Sequence, residues 1–203
     1  VIRTEKYRYD SAARENVRRK MNTQDRFVIG SVGRLATEKN PFFAMDVFEC
    51  LQKQVPNAEY WWVGSGPLEK SVQDYVNQKG LSENVRLLGS RNDVTDLYQG
   101  MDVFFLPSLF EGLPVTGVEA QAMGLPIVVS DTVTKEMVYT DLVDYVSLKS
   151  TKEIWAEHLI KVAEKKQNRS NYVDNLRKSV FSDIGCGNRL EGIYRRFLDD
   201  KNG

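Results

Sequence analysis

Short apolar runs alternate with longer amphipathic stretches along the chain. The run from Val103 to Leu106 is apolar at every position, which is typical of a strand buried on both faces of a sheet. Between such runs, apolar residues recur at helical spacing, as Phe43, Val47 and Leu51 do. The pattern predicts strands over residues 27–33, 58–64, 85–89, 102–107 and 125–130, with a candidate sixth strand over 143–148. It predicts helices over residues 11–21, 41–54, 68–79, 93–99, 114–123 and 152–166, and further helical segments to about residue 198.

The alternation of strands and helices predicts the fold class. Strands separated by helices need crossover connections, which place the strands parallel in one sheet with helices on its faces. We therefore expect an α/β fold with an open, doubly wound, Rossmann-like parallel sheet and extra C-terminal helices. The 203 residues fit one domain. Residues 1–22 are expected to form its N-terminal helical segment, and residues 150–203 its helical tail.

The charge composition argues against a nucleic-acid partner. Lys and Arg together number 28, as do Asp and Glu, whereas a general nucleic-acid binder carries a basic excess. The balance hides an asymmetry, because residues 1–22 are basic and residues 93–144 are acidic; we expect these regions to face each other or solvent. The basic run from Lys161 to Arg169 predicts a solvated face, and it leaves open a weak peripheral contact with anionic lipid.

Cysteine usage and apolar run length restrict the location of the protein. Cys50 and Cys186 lie far apart in no ligand-spacing pattern, so neither a disulfide framework nor a metal site is predicted. A reducing compartment is the default, which predicts a cytoplasmic protein, with the inner face of the membrane as a second location. The apolar runs fall short of the roughly 18–20 residues that a membrane span needs. The chain begins at Val1 instead of a methionine, which predicts a processed or truncated chain, and no secretory signal is predicted at its start.

Loops after the first two predicted strands contain candidate anion-binding groups, because ligands of doubly wound sheets bind beyond the carboxyl ends of strands. Gly33 allows close approach of a ligand to the backbone, and Arg34 and Lys39 are cations that could converge on one anion. The alternative is a pair of solvated surface cations beside Glu38. The loop 64–67 resembles half of a glycine-rich phosphate loop but lacks the third glycine, so a turn before a helix is favoured there.

The loop after the fourth predicted strand is the most informative. Glu111 precedes a predicted helix whose N-terminal N–H groups and dipole favour an anion, and Glu119 lies inside that helix. A bound phosphate would repel both carboxylates, so we expect them to bind hydroxyl groups on either side of it. A nucleoside diphosphate sugar has that layout: ribose hydroxyls, two phosphates, then sugar hydroxyls. Alternatively, Glu111 is a turn residue and Glu119 a helix acid favoured by the dipole.

Three sequence blocks together resemble the C-terminal half of the retaining family-4, or group 1, glycosyltransferases of capsular and exopolysaccharide type. The blocks are Gly33-Arg34-Leu35 with Lys39, then Gly64-Ser65-Gly66-Pro67-Leu68, then Glu111 and Glu119 followed by the run 120–128. The resemblance covers nearly the whole chain, and residues 4–7 look like the family's interdomain segment. It implies the donor-binding domain of a two-domain GT-B enzyme. Such an enzyme transfers a sugar from a UDP- or GDP-linked donor to a glycan or lipid-linked acceptor, with retention and without a metal.

The resemblance also implies the donor-binding residues. They are Gly33, Arg34, Lys39, Gly64, Ser90, Arg91, Glu111, Leu113, Val115, Thr116 and Glu119. Arg34 and Lys39 would bind the diphosphate and Glu111 the transferred sugar, which makes these three the catalytic set.

The remaining implied contacts come from one side chain and from the backbone. Glu119 would bind the ribose hydroxyls, and the backbone of residues 90–91 would meet the base. The N–H groups of Leu113, Val115 and Thr116 would hold the distal phosphate or the sugar, because Pro114 has no N–H to donate.

Two other function classes stay open at this point. A nucleotide-sugar epimerase would share the two-domain plan but should supply an extra acid or base, and the sequence offers none beyond the two glutamates. A non-catalytic nucleotide-binding or assembly module would need no acceptor. The expected partners are a nucleotide sugar, an acceptor and the missing N-terminal domain, so the isolated chain should bind nucleotide and transfer sugar negligibly.

Overall fold

Six parallel strands form one sheet in the computed structural model of the chain, which describes residues 2–165 and 168–199. The strands are β1 (Phe27–Val32), β2 (Ala58–Val63), β3 (Val85–Leu87), β4 (Val103–Leu106), β5 (Ile127–Ser130) and β6 (Val143–Val146). Their order across the sheet is β3-β2-β1-β4-β5-β6, and every neighbouring pair is parallel. The predicted doubly wound α/β sheet is confirmed, and the candidate sixth strand belongs to it.

Helices cover both faces of this sheet. They are α1 (Ser11–Lys20), α2 (Pro41–Gln54), α3 (Glu69–Gln78), α4 (Val94–Gly100), α5 (Val115–Ala122), α6 (Lys152–Glu164), α7 (Tyr172–Lys178) and α8 (Asp183–Asp199). Apolar residues of α2, α3 and α6 pack on one face, and those of α1, α4, α5 and α7 pack on the other. Most predicted boundaries agree within two residues. The predicted end of the sixth helix at Lys166 lies outside the described residues.

Strand β2 shows why the apolar runs of the sequence are continuous. Successive side chains of a strand point to opposite faces of a sheet. Tyr60 and Trp62 accordingly pack with α2 and α3, whereas Trp61 packs with α1 and α4 on the other face, and all three side chains are buried. The aromatic run therefore contributes to both halves of the core, as the sequence predicts for a strand covered on both sides.

The strand order predicts a crevice between the carboxyl ends of the neighbouring strands β1 and β4. From β1 the chain proceeds to β2 and then β3, and it returns to pair β4 with the opposite side of β1. The loops that follow β1 and β4 therefore run in opposite directions from adjacent strand ends. Ligands of doubly wound sheets bind at such a switch point. The loops that contain Arg34, Lys39 and Glu111 begin there.

An arginine cluster, formed by Arg14, Arg18 and Arg169, lies at the opposite edge of the sheet. All three guanidinium groups donate to backbone carbonyls at or just after the last turn of α4, where the helix dipole favours cations. Arg14 and Arg18 also pair with Asp102, which precedes β4. The cluster thus holds α1 and the Arg169 segment of the C-terminal tail against the last turn of α4, at the edge of the sheet where the strands begin.

The arginine cluster corrects one prediction. Arg169 was expected on a solvated basic face together with Lys161, but its guanidinium is enclosed by backbone carbonyls and lies 4.3 Å from the ring centroid of Tyr9. Lys161 and Lys165 are exposed as predicted, and Lys166 lies outside the described residues. The pattern of charges cannot distinguish an arginine that caps a distant helix from one that faces water.

Candidate functional site

The loop after β1 presents two cations beside a glycine. Arg34 is exposed and has no ion-pair partner among the residues that the structure describes. The aliphatic part of Lys39 lies along Gly33, since a β-carbon added at Gly33 would be 3.3 Å from Lys39 Cε. Trp62 Nε1 donates a hydrogen bond of 3.0 Å to the Gly33 carbonyl and fixes the backbone at that point. Arg34 and Lys39 therefore flank a backbone that is held in place by the core.

The loop after β2 packs backbone against backbone on the loop after β1. Gly64 has a φ of +129°, and a β-carbon there would be 2.2 Å from the Gly33 carbonyl oxygen. A β-carbon at Gly66 would be 2.3 Å from the carbonyl oxygen of Leu35, whose N–H donates to the Ser65 carbonyl. This close approach explains both glycines without a ligand, and it agrees with the predicted turn.

An ion pair between Lys39 and Glu111 joins the loops after β1 and β4. The two side chains are only 19% and 11% exposed, so the pair is largely shielded from water. Ser108 Oγ donates a hydrogen bond of 2.8 Å to the same Glu111 oxygen, and the Leu109 N–H donates to the Glu38 carbonyl. The structure thus brings together two of the three residues in the predicted catalytic set.

The N-terminus of α5 faces the end of this loop without a side-chain cap. Pro114 is its N-cap and accepts from the N–H groups of Gly117 and Val118, and no side chain donates to or accepts from the cap position. The helix predicted over residues 114–123 therefore begins one residue later than expected, at Val115. Val115 and Thr116 precede the first N–H group that bonds within the helix, so theirs have no acceptor inside it.

Glu119 accepts hydrogen bonds from two tyrosines that the sequence did not single out. Tyr7 donates to Oε1 at 2.5 Å, and Tyr98 donates to Oε2 at 3.0 Å. Burial, and then the neighbouring Glu119 charge, raise the pKa of both tyrosines, so both stay protonated donors near neutral pH. They lie 112 and 21 positions from Glu119, and no local spacing could have indicated the contacts.

The loop after β3 joins the same edge of the sheet. The Gly64 N–H donates to the Gly89 carbonyl, and the Ser90 N–H donates to Ser65 Oγ at 3.1 Å. The Ser90 N–H is therefore already bonded within the protein. Arg91 is exposed and pairs with Asp93. The predicted base contact of Ser90 and Arg91 stays a prediction.

Two buried tyrosines predict how the stability of the domain depends on pH. Burial raises the pKa of Tyr60 and Tyr98 above the value of about 10 in an unfolded chain. The unfolded state then loses protons first, so the stabilisation is complete below about pH 10 and is lost as the pH rises further. Each tyrosine should contribute a slope of up to about 1.4 kcal/mol per pH unit. Urea unfolding of wild type and Tyr98→Phe measures it; the variant should have the shallower decline, and equal slopes would contradict the assignment.

Two further properties concern the whole described region. Within residues 2–165 and 168–199, no helix combines the length and apolar character needed to cross a bilayer. Across the same residues, no three His, Cys, Asp or Glu side chains are grouped so that they could hold a metal ion.

Comparison with known proteins identifies the family of this fold and site. Residues 13–179 match the family of group 1 glycosyl transferases. The chain therefore belongs to that family, as the three sequence blocks predict.

Two curated relatives show which members of the family this chain is similar to. The Escherichia coli UDP-Gal:alpha-D-GlcNAc-diphosphoundecaprenol alpha-1,3-galactosyltransferase is 37% identical over 108 residues, which cover 52% of this chain and 28% of that protein. The capsular polysaccharide biosynthesis glycosyltransferase CapM of Staphylococcus aureus is 27% identical over 210 residues, covering 100% of this chain and 54% of CapM. The chain thus spans about half or less of the curated relatives described here.

A solved structure supports the fold assignment. Anabaena HepE, crystallised in complex with UDP, superposes with a TM-score of 0.81 at 18% sequence identity. The match covers 96% of this chain and 56% of HepE. The α/β sheet described above therefore shares its fold with the matched part of HepE.

Proposed function

We propose that residues 1–203 form the donor-binding domain of a retaining, metal-independent glycosyltransferase. The parent enzyme transfers a sugar from a UDP- or GDP-linked donor to a glycan or lipid-linked acceptor in bacterial surface polysaccharide synthesis. The observation that supports this most is the shielded Lys39–Glu111 pair, which lies at the switch point of the sheet. A cation suited to phosphate and a carboxylate suited to hydroxyls thus lie at the same edge of the sheet.

Arg34 and Lys39 bind the diphosphate together with the N-terminus of α5. Without ligand, Lys39 is neutralised by Glu111, whereas Arg34 has no ion-pair partner within the described part of the chain. A diphosphate supplies a stronger anion to Lys39 and releases the Glu111 carboxylate to accept from a sugar hydroxyl. The N–H groups of Val115 and Thr116 add donors and the positive end of the helix dipole.

The same groups promote the loss of the leaving group. Charge develops on the diphosphate as the bond to the sugar breaks, and preorganised cations and N–H donors stabilise that charge more than they stabilise the intact donor. Arg34, Lys39 and the α5 N-terminus perform this role here in place of a metal ion. Glu111 orients the sugar, which lies on the side of the diphosphate opposite the ribose.

The comparisons support the choice of donor and acceptor classes. HepE was crystallised with UDP, and the name of the Escherichia coli relative gives a UDP-linked donor and a diphosphoundecaprenol acceptor. CapM takes part in capsular polysaccharide biosynthesis. A lipid-linked acceptor of this kind favours a parent enzyme that works in the cytoplasm at the inner face of the membrane, in peripheral contact with the lipid.

The acceptor site belongs to a second, N-terminal domain. The chain spans only 54% of CapM and 56% of HepE, so about half of a parent of that length lies outside it. The backbone of residues 90–91 meets the base, and Glu119 binds the ribose. The chain by itself therefore binds donor but lacks the groups that would receive the sugar.

Calorimetry with UDP, GDP and their glucose conjugates tests this proposal, combined with an assay of sugar release. We expect binding of at least one nucleoside diphosphate, unchanged affinity after addition of a chelator, and no measurable transfer. Binding that requires a divalent cation would overturn metal independence. Absence of binding by every nucleotide would favour the assembly-module alternative, and turnover by the isolated chain would refute the division into two domains.

A further inference from the structure

The Glu119 carboxylate is held at both oxygens by hydroxyl donors on two separate elements. Tyr98 belongs to α4, and Tyr7 belongs to the short 3-10 helix Thr4–Tyr7 near the start of the chain. One donates to each oxygen, at 3.0 and 2.5 Å. A carboxylate with a donor on each oxygen cannot rotate freely about its last torsion, so its plane is fixed relative to the sheet.

This arrangement leaves room for two more donors. An ionised carboxylate offers about four lone-pair positions, of which the tyrosines occupy two. Glu119 is partly exposed, so the remaining positions can be reached from solvent. Two adjacent hydroxyl groups, such as the 2′ and 3′ hydroxyls of a ribose, match two oxygens whose spacing and plane are already set.

Both tyrosines are themselves firmly placed. Tyr98 is fully buried and its ring packs 5.7 Å from that of Phe104, a residue of β4. The segment that contains Tyr7 is fixed to the C-terminal tail, where Thr4 Oγ1 donates to Asp183 and the Ile2 N–H donates to the Phe181 carbonyl. The docking of the tail thus determines where the Tyr7 hydroxyl lies.

We infer that Tyr7 and Tyr98 are positioning residues that hold Glu119 in the orientation for the two ribose hydroxyls of the donor, and that they set the preference for ribonucleotide over 2′-deoxyribonucleotide. The inference rests on the proposed function, because it assigns the ribose to Glu119. A purely structural role for the tyrosines would change the affinity for both nucleotides equally. A positioning role weakens the ribonucleotide more, because it has two hydroxyls on Glu119 and the 2′-deoxyribonucleotide has only one.

The test is calorimetry of the 203-residue chain with UDP, dUDP, GDP and dGDP. We expect wild type to prefer the ribonucleotide by about tenfold, or about 1.4 kcal/mol, and Tyr7→Phe to reduce that preference to about threefold, because the ribonucleotide loses more affinity than the 2′-deoxyribonucleotide. Tyr98→Phe should act in the same direction, and Glu119→Gln should remove the preference. Tyr139→Phe is the matched control, because the Tyr139 hydroxyl donates to the Val118 carbonyl of the same helix and not to Glu119.

The outcomes separate the inference from the proposed function. If Tyr7→Phe and Tyr98→Phe leave the preference at the wild-type value, or lower both affinities equally, the tyrosines do not position Glu119. A wild-type chain that binds UDP and dUDP equally also overturns the inference, while donor binding stands. A chain that binds none of the four nucleotides overturns the inference and the proposed function together. Thermal melts of each variant show whether the Phe forms remain folded.

Discussion

Arg34→Ala is expected to weaken the binding of a nucleoside diphosphate by about 10- to 100-fold. A hydrogen bond to a charged group contributes about 1.5–3 kcal/mol, and each 1.4 kcal/mol is a factor of about ten in affinity. Arg34 is exposed and has no ion-pair partner among the described residues, so its removal leaves no protein charge unpaired. The loss therefore measures the contact with the ligand. Calorimetric titration with UDP and GDP gives the value.

A series of shorter ligands and a matched control make this prediction specific. The effect of Arg34→Ala should shrink from the diphosphate to the monophosphate and vanish for the free nucleoside, because the guanidinium binds phosphate oxygens only. Lys70→Ala removes another exposed cation, which pairs with Asp74 on α3, and should leave all three affinities unchanged. An equal loss for diphosphate and nucleoside would mean that Arg34 shapes the loop and does not contact phosphate.

Gly64→Ala is expected to destabilise the fold by about 3 kcal/mol or more. The φ of +129° is essentially restricted to glycine and costs another residue about 1–3 kcal/mol. The new β-carbon would also lie 2.2 Å from the Gly33 carbonyl oxygen, a backbone atom held by Trp62, and overpacking costs a further 1–3 kcal/mol or so. Urea denaturation of the variant and wild type measures the difference in the free energy of unfolding.

Gly80→Ala separates the two contributions to that loss. Gly80 has a φ of +69°, but a β-carbon there would meet no atom within 4 Å. Its alanine variant should lose only about 1 kcal/mol, from backbone conformation alone. If Gly64→Ala is no more destabilising than Gly80→Ala, the loops after β1 and β2 do not pack as closely as described. A displaced Gly33 should also lower nucleotide affinity in the Gly64 variant.

The sheet and the position of the crevice could be predicted from the sequence, because they follow from local patterns. Continuous apolar runs such as that of β4 indicate strands covered on both faces, and alternation with helices forces parallel connections. The strand ends then determine which loops meet. Lys39 and Glu111 lie on different loops, 72 positions apart. Both loops follow the carboxyl ends of parallel strands, so the sequence predicts that they meet at the same edge of the sheet.

The contacts that the sequence could not predict are long-range and depend on side-chain direction. Tyr7 reaches Glu119 only because the chain start is fixed to the C-terminal tail through Thr4 and Asp183. Arg169 belongs to a basic run of the sequence, yet its guanidinium caps the end of α4, because the C-terminal tail returns to the sheet there. Neither contact follows from spacing along one element, and each depends on how the tail returns to the sheet.

The most direct test of the account is a crystal structure of the chain with the tighter-binding nucleoside diphosphate. The account predicts the diphosphate at the switch point, with Arg34, Lys39 and the N–H groups of Val115 and Thr116 within hydrogen-bond distance and the Lys39–Glu111 pair opened. A diphosphate bound instead at the arginine cluster on the opposite edge of the sheet would contradict it.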